Sequence, residues 1–173
     1  GNEGGNSSKA KAIYHKFISQ AIKVKPKYLC MITPSRWMTR ATEGIPDEWV
    51  DEMLESNHFK IIHDFEDSSD CFPGVEIKGG VSYFLYERNY NGKCNYFFHY
   101  SSDKKVETRN DYLDSMQSGV VIRDPKSYSI LKKIISVEGA YYNKQDTNFS
   151  GCVSPKDFFT NKQVLTSSWK GYK

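Results

Sequence analysis

The strongest constraint on the fold is a run of apolar residues, Tyr28 to Thr33, that stands between Pro26 and Pro34. The run is too short for a helix of ordinary length, and it lacks the alternation of a strand with one face in water. It therefore predicts a strand that is covered on both faces, as the strands of parallel sheets are.

An amphipathic helix is predicted immediately before this strand. Ser7 and Ser8 are candidate N-caps for a helix that starts near Lys9, and Pro26 ends the run. Apolar residues recur on one face at three- and four-residue spacing: Ala10, Ile13, Tyr14, Phe17, Ile18, Ala21 and Ile22. A helix that leads into a buried strand is half of a βαβ unit, so a parallel sheet is predicted.

Further helices and strands follow. Pro46 and the acidic pair after it predict a second helix, whose buried stripe is Trp49, Val50, Met53 and Leu54. Strands are predicted at residues 59–65, 81–88 and 94–100, and a short helix after Asp124-Pro125. Because Asn91-Gly92 is a strong hairpin-turn dipeptide, we expect the last two strands to pair. The predicted fold class is α/β, with parallel strands, an antiparallel terminal hairpin and helices packed on the sheet.

Several function classes find no support in the sequence. It contains no glycine-rich dinucleotide loop, Walker loop, GxSxG motif or cluster of metal ligands. No apolar stretch reaches the roughly 18 residues that span a membrane, and no signal peptide is evident. The cysteines form no CxxC pair and have no zinc-site spacing, so reduced thiols in a cytoplasmic protein are expected: Cys30, Cys71, Cys94 and Cys152. We expect the histidines to be surface or structural residues: His15, His58, His63 and His99.

Length and charge set broad limits. A chain of 173 residues can form one ordinary core with a trailing segment. The net charge is +3, divided into −1 over residues 1–100 and +4 over residues 101–173. The excess of positive charge over residues 101–173 is compatible with contacts to DNA phosphates and also with an ordinary protein surface. The opening residues 1–6 include no initiator Met, so we expect the sequence to begin inside a longer protein.

Two short segments stand where an α/β sheet binds ligands, just past the carboxyl ends of strands. They are Thr33 to Met38, with the sequence TPSRWM, and Asp70 to Val75, with the sequence DCFPGV. From the residues alone, a packing role is open for each segment. Trp37 can plug a rigid turn, and Phe72 can be buried under the sheet edge.

The order of these elements resembles the second half of the catalytic domain of a restriction–modification N6-adenine DNA methyltransferase. The family includes enzymes in which one polypeptide both methylates and cleaves DNA. A Pro-x-x-Trp segment of the family resembles Pro34 to Trp37, and its loop Phe-Pro resembles Phe72-Pro73. The family's catalytic Asn-Pro-Pro-Tyr motif lies shortly before the helix that we start at Lys9. The resemblance covers roughly residues 7–100 and is carried by the ordered set of motifs.

The resemblance implies methyl transfer from S-adenosylmethionine to an adenine that is flipped out of double-stranded DNA. An extruded base needs an aromatic face to replace lost stacking, and Phe72 is the expected wall of its pocket. The other residues implied for this pocket are Pro73, Gly74, Pro34 and Trp37. Candidate DNA-phosphate contacts are Arg36, Arg40 and Lys78.

The sequence lacks both the glycine-rich donor loop and Asn-Pro-Pro-Tyr. We therefore expect the chain alone to be inactive and to bind no S-adenosylmethionine. Residues 1–100 are expected to be the C-terminal half of the catalytic domain, and residues 101–173 to lead toward a DNA target-recognition region. We also expect self-association through the open edge of the strand at Tyr28–Thr33. The alternatives are a non-enzymatic DNA-binding or specificity module and a fragment of another α/β enzyme, including an RNA or protein methyltransferase.

Overall fold

The computed structural model describes residues 2–3 and 11–138, with side chains described for residues 11–135. In chain order the elements are β1 (Asn2–Glu3), β2 (Lys11–Ala12), α1 (Tyr14–Lys23), β3 (Tyr28–Pro34), a 3₁₀ helix (Ser35–Thr39), α2 (Asp47–Glu55), β4 (Phe59–Phe65), a second 3₁₀ helix (Ser68–Asp70), β5 (Val81–Glu87), β6 (Cys94–His99), β7 (Val106–Asp111) and α3 (Pro125–Glu138).

The main sheet has five strands in the order β3-β5-β4-β6-β7. β5 is antiparallel to both β3 and β4, so those two strands run in the same direction. β6 is parallel to β4, and β7 is antiparallel to β6. The structure thus confirms an α/β protein. Its sheet is not the predicted set of parallel strands with one antiparallel hairpin, because among the paired strands of this sheet only β4 and β6 are parallel.

The predicted hairpin between residues 81–88 and 94–100 is wrong in its pairing, although both strands exist. β5 lies between β3 and β4 and uses both of its edges there, so β6 adds to the far edge of β4. The connection passes the start of β4, where the Gly92 amide donates to the Asn57 carbonyl at 3.2 Å. A turn dipeptide favours a local reversal, but the edges left free by other strands decide the pairing.

β3 is covered on one face only among the described residues. Tyr28, Cys30 and Ile32 are exposed, whereas Leu29 and Met31 pack against the core. The prediction of cover on both faces is therefore wrong for the described part of the chain. The reason is that α1 and α2 contribute their apolar residues to one core, which lies on the Leu29 side of the sheet.

Helix α1 begins later than predicted, at Tyr14. Lys11 and Ala12 instead pair with β1, and the Ala12 amide donates to the Glu43 carbonyl at 3.3 Å. The buried face is also rotated from the predicted stripe, since His15 is 6% exposed and Phe17 is 58% exposed. The proposed caps Ser7 and Ser8 lie outside the described residues.

The second helix and the region after residue 100 complete the core. All four residues of the predicted α2 stripe are buried: Trp49, Val50, Met53 and Leu54. The helix predicted after Asp124-Pro125 is present as α3, where Tyr128 is buried but Ile130 is 60% exposed. No sequence pattern predicted β7, which extends the same sheet. The division of the chain at residue 100 stays a prediction.

Candidate functional site at one edge of the sheet

The two sequence segments singled out above leave the same edge of the sheet. The ends of β3 and β4 are aligned there, because Pro34 and Phe65 both pair with Val81, the first residue of β5. The segment after β3 and the loop after β4 are also joined directly, since the Ser35 amide donates to the Gly80 carbonyl at 3.1 Å. We call residues 66–80 the edge loop.

The edge loop is organised around Ser68, which is buried. Its hydroxyl donates to the Val75 carbonyl and accepts from the Ile77 amide, both at 2.8 Å. The Phe72 amide donates to the Ser68 carbonyl, also at 2.8 Å. One side chain thus holds together the middle and the end of a loop that has little regular structure.

Phe72 lies on the open side of this loop, with 39% of its surface exposed. Pro73 and Gly74 are exposed beside it. Gly74 has a φ of +80°, and a Cβ placed there would meet nothing within 4 Å. The glycine therefore serves the backbone turn, and the Phe72 ring is accessible.

Trp37 lies in the core, in contrast to its implied place in a ligand pocket. It is 1% exposed, and its ring packs edge-on against Trp49 at 5.6 Å and beside Phe59 at 6.1 Å. A buried ring has no free face for a base, so the structure supports the plug interpretation of Trp37. Pro34, three residues earlier, is only half-buried at the sheet edge.

The three candidate phosphate contacts differ in how the chain uses them. Arg40 is engaged internally: its Nε donates to the Gly119 carbonyl at 2.6 Å, and its guanidinium forms ion pairs with Asp47 and Asp51. Arg36 is half-buried and lies against Gly79, where a Cβ would come within 2.5 Å of the Arg36 Cγ. Lys78 is exposed on the edge loop.

A buried ionic network, which was not predicted from the sequence, lies beneath this edge. Asp64 is 0% exposed, and Arg123 binds it with two hydrogen bonds, from Nε at 2.6 Å and from Nη2 at 2.8 Å. The Ser35 hydroxyl donates to the same carboxylate at 2.6 Å, and the Tyr96 hydroxyl also donates to it. Burial raises the pKa of Tyr96, and the negative charge of Asp64 raises it further.

One signal in the sequence could have revealed Asp64. In β4 it alternates with His63 and shares the core-facing side with Ile62, so a charge was placed where an apolar residue is expected. Buried carboxylates need a cationic partner. Nothing in the sequence pattern identified Arg123, which is 59 residues away along the chain.

The opposite face of the sheet carries a group of stacked rings. His63 stacks between Tyr83 and Phe97, with ring centroids 4.6 and 4.3 Å apart. His99 stacks on Phe65 at 4.0 Å. These contacts agree with the predicted structural role of the histidines. The described residues contain no group of three or more His, Cys, Asp or Glu that could hold a metal ion.

A small cavity adjoins the edge loop. It has a volume of about 230 Å³ and is lined by Phe65, Asp70, His99, Tyr100 and Lys104. Asp70 and Lys104 form an ion pair. The site region therefore contains an accessible ring, a cavity and a buried ionic network near one edge of an α/β sheet, at the carboxyl ends of β3 and β4, where such folds bind ligands.

Comparisons with known proteins show which proteins the chain resembles. Residues 1–72 match the family model of the Eco57I restriction-modification methylase. A stretch of 90 residues, 52% of this chain, is 46% identical to an "Uncharacterized adenine-specific methylase" of Mycoplasma pneumoniae (strain ATCC 29342 / M129 / Subtype 1). The matched stretch spans 21% of that relative's length. Over these residues the chain is thus similar to restriction–modification methylases and to an adenine-specific methylase. No helix among the described residues is long and apolar enough to cross a membrane.

Proposed function

We propose that this chain is a part of a DNA methyltransferase that transfers a methyl group from S-adenosylmethionine to N6 of a flipped adenine. The observation that carries the proposal is the accessible Phe72 ring on the edge loop, at the carboxyl ends of β3 and β4. The similarity to restriction–modification adenine methylases supports the reaction class.

Phe72 gives the extruded base a stacking surface. Stacking of a base on an aromatic side chain contributes on the order of 1–3 kcal/mol, which offsets part of the stacking lost from the duplex. Pro73 and Gly74 fix the conformation of the loop beside the ring and leave the approach to the ring open. Pro34 borders the same edge of the sheet. Lys78 and Arg36 are the proposed phosphate contacts, whereas Arg40 has a structural role because its guanidinium is engaged within the chain.

The residues present do not fit a donor site for S-adenosylmethionine. A methyl donor of this kind is held by a glycine-rich turn that lets the ligand approach the backbone. Gly79-Gly80 cannot serve, because a Cβ on Gly80 would lie 2.0 Å from the Phe65 carbonyl oxygen, so the backbone is already packed there. We therefore propose that other parts of the enzyme supply the binding site for S-adenosylmethionine and the catalytic Asn-Pro-Pro-Tyr motif, and that this chain alone is inactive.

The test is the methylation rate of the full-length enzyme with Phe72→Ala. Loss of 1–3 kcal/mol of stacking corresponds to a decrease in rate of roughly 5- to 150-fold. Phe72→Tyr should restore most of the rate, because its ring has the same π face. The matched control is Phe17→Ala, since Phe17 is an exposed ring on α1. An unchanged rate for Phe72→Ala would remove the pocket assignment.

A further inference from the structure

We infer that Arg123 is a positioning residue that holds the edge loop, and with it Phe72, against the end of β3. This inference rests on the proposed function, because the loop that Arg123 holds is the one proposed to receive the base. It assigns a role to a residue outside both sequence segments.

The contacts of Arg123 join three parts of the chain. Two guanidinium nitrogens bind the Asp64 carboxylate at the end of β4, at 2.6 and 2.8 Å. The third, Nη1, donates to the Gly79 carbonyl at 2.8 Å, close to the end of the edge loop. Asp64 in turn accepts the hydrogen bond of Ser35, the first residue after β3. One ion pair thus links the segment after β3 to the loop after β4.

The backbone of Arg123 is itself held in place by neighbours. The Val121 amide donates to the Met38 carbonyl at 2.8 Å, and Val121 is 1% exposed. The Arg109 Nη1 donates to the Ile122 carbonyl at 2.6 Å. The guanidinium therefore extends from a fixed segment, as positioning requires.

The energetics favour positioning over a simple gain in stability. Removing two charges from water carries a desolvation cost, so a buried ion pair adds little stability relative to apolar residues of the same size. What a bidentate arginine–carboxylate pair does supply is a defined geometry, because its planar donors fit both carboxylate oxygens. A lysine has a single charged centre and cannot hold Asp64 and Gly79 in the same arrangement.

The first test measures amide hydrogen exchange in the full-length enzyme. Arg123→Gln is expected to raise exchange in the edge loop, at the amides of Phe72, Val75 and Ile77, and to leave the β3–β5 ladder protected. The double variant Asp64→Asn with Arg123→Gln removes the uncompensated carboxylate and should keep the fold if Arg123→Gln alone does not. The control is Lys60→Gln, which breaks an ion pair of 2.9 Å with Glu87 at the other end of β4. Unchanged exchange in the edge loop of the folded variant would overturn the inference.

The second test measures methylation kinetics. Arg123→Gln should lower kcat by about tenfold to 100-fold, as misplaced groups do, with a smaller change in KM for DNA. Arg123→Lys should recover only part of this loss. In the Phe72→Ala background the same change should cost at most about twofold, because both act through one ring. If the effects of Arg123→Gln and Phe72→Ala on kcat multiply in the double variant, the positioning role is contradicted. A normal kcat in Arg123→Gln despite faster exchange in the edge loop also contradicts it. A normal rate for Phe72→Ala is a separate outcome that contradicts the proposed function.

Discussion

His63 and His99 face each other across β4 and β6, and their Nδ1 and Nε2 atoms are 2.9 Å apart. Burial lowers the pKa of His63 below its usual 6.5, and the nearby charge of His99 lowers it further. Burial also lowers the pKa of His99, although Asp64 and Asp70 oppose this effect. The pair is therefore most stable with both rings neutral.

This pair predicts a loss of stability in mild acid. A histidine whose pKa is lower in the folded protein takes up its proton more readily after unfolding. The free energy of unfolding is expected to be unaffected well above pH 6.5 and to fall as the pH decreases below that value. Urea unfolding between pH 5 and 8 measures this, with His63→Gln as the comparison. Equal pH dependence in both proteins contradicts the prediction.

Asp124 is predicted to stabilise the start of α3. Its carboxylate accepts the Ser127 amide at 3.0 Å and the Tyr100 hydroxyl at 2.9 Å. Burial opposes ionisation, but these hydrogen bonds lower the pKa of Asp124 to about 2. Asp124→Ala should lower the free energy of unfolding by about 0.5–2 kcal/mol, as loss of an N-cap does. Asp124→Asn keeps a capping oxygen and should lower the free energy of unfolding by less. Chemical denaturation measures both variants, and an equal decrease in the two would argue against capping.

Trp37 and Phe72 are predicted to affect different properties. Trp37→Ala removes a buried ring and should lower the free energy of unfolding by about 3–5 kcal/mol. Phe72→Ala removes a ring that is 39% exposed and should change it much less. Thermal or urea unfolding of the two variants gives the comparison. A stable Trp37→Ala enzyme that has lost methylation would restore Trp37 to the pocket.

The β3 edge is predicted to promote self-association of the isolated chain. Among the described residues β3 pairs on one side only, and Ile32 on its open face is 46% exposed. An apolar edge with free backbone groups favours pairing with another chain. Ile32→Lys should lower the apparent mass in light scattering. A clean monomer at high concentration before any substitution contradicts the expectation.

Sequence patterns predicted best where the local signal and the tertiary structure agree. β4 and the buried stripe of α2 were predicted correctly because their apolar spacing matches the face that the core covers. The pairing of β6 was wrong because it depends on which strand edges remain free, and the start of α1 was wrong because Glu43 binds the chain at Ala12.

In the candidate site, too, the features set by local sequence could be predicted, and those set by distant residues could not. The residues at the ends of β3 and β4 could be selected because strand ends are predictable and ligands bind there. Burial of Trp37 and the internal contacts of Arg40 could not be predicted, because each depends on residues far away in the sequence. The pairing of Asp64 with Arg123 likewise exists only in the folded chain.

The contact between Phe72 and the target base is tested most directly by photocrosslinking. The full-length enzyme is bound to a DNA duplex that carries 5-iodouracil in place of the target adenine and is then irradiated. The crosslinked peptide is identified by mass spectrometry. If Phe72 stacks on the base, the crosslink is expected at Phe72, and it should be lost in Phe72→Ala and retained in Phe17→Ala. Efficient crosslinking that maps elsewhere and persists in Phe72→Ala contradicts it.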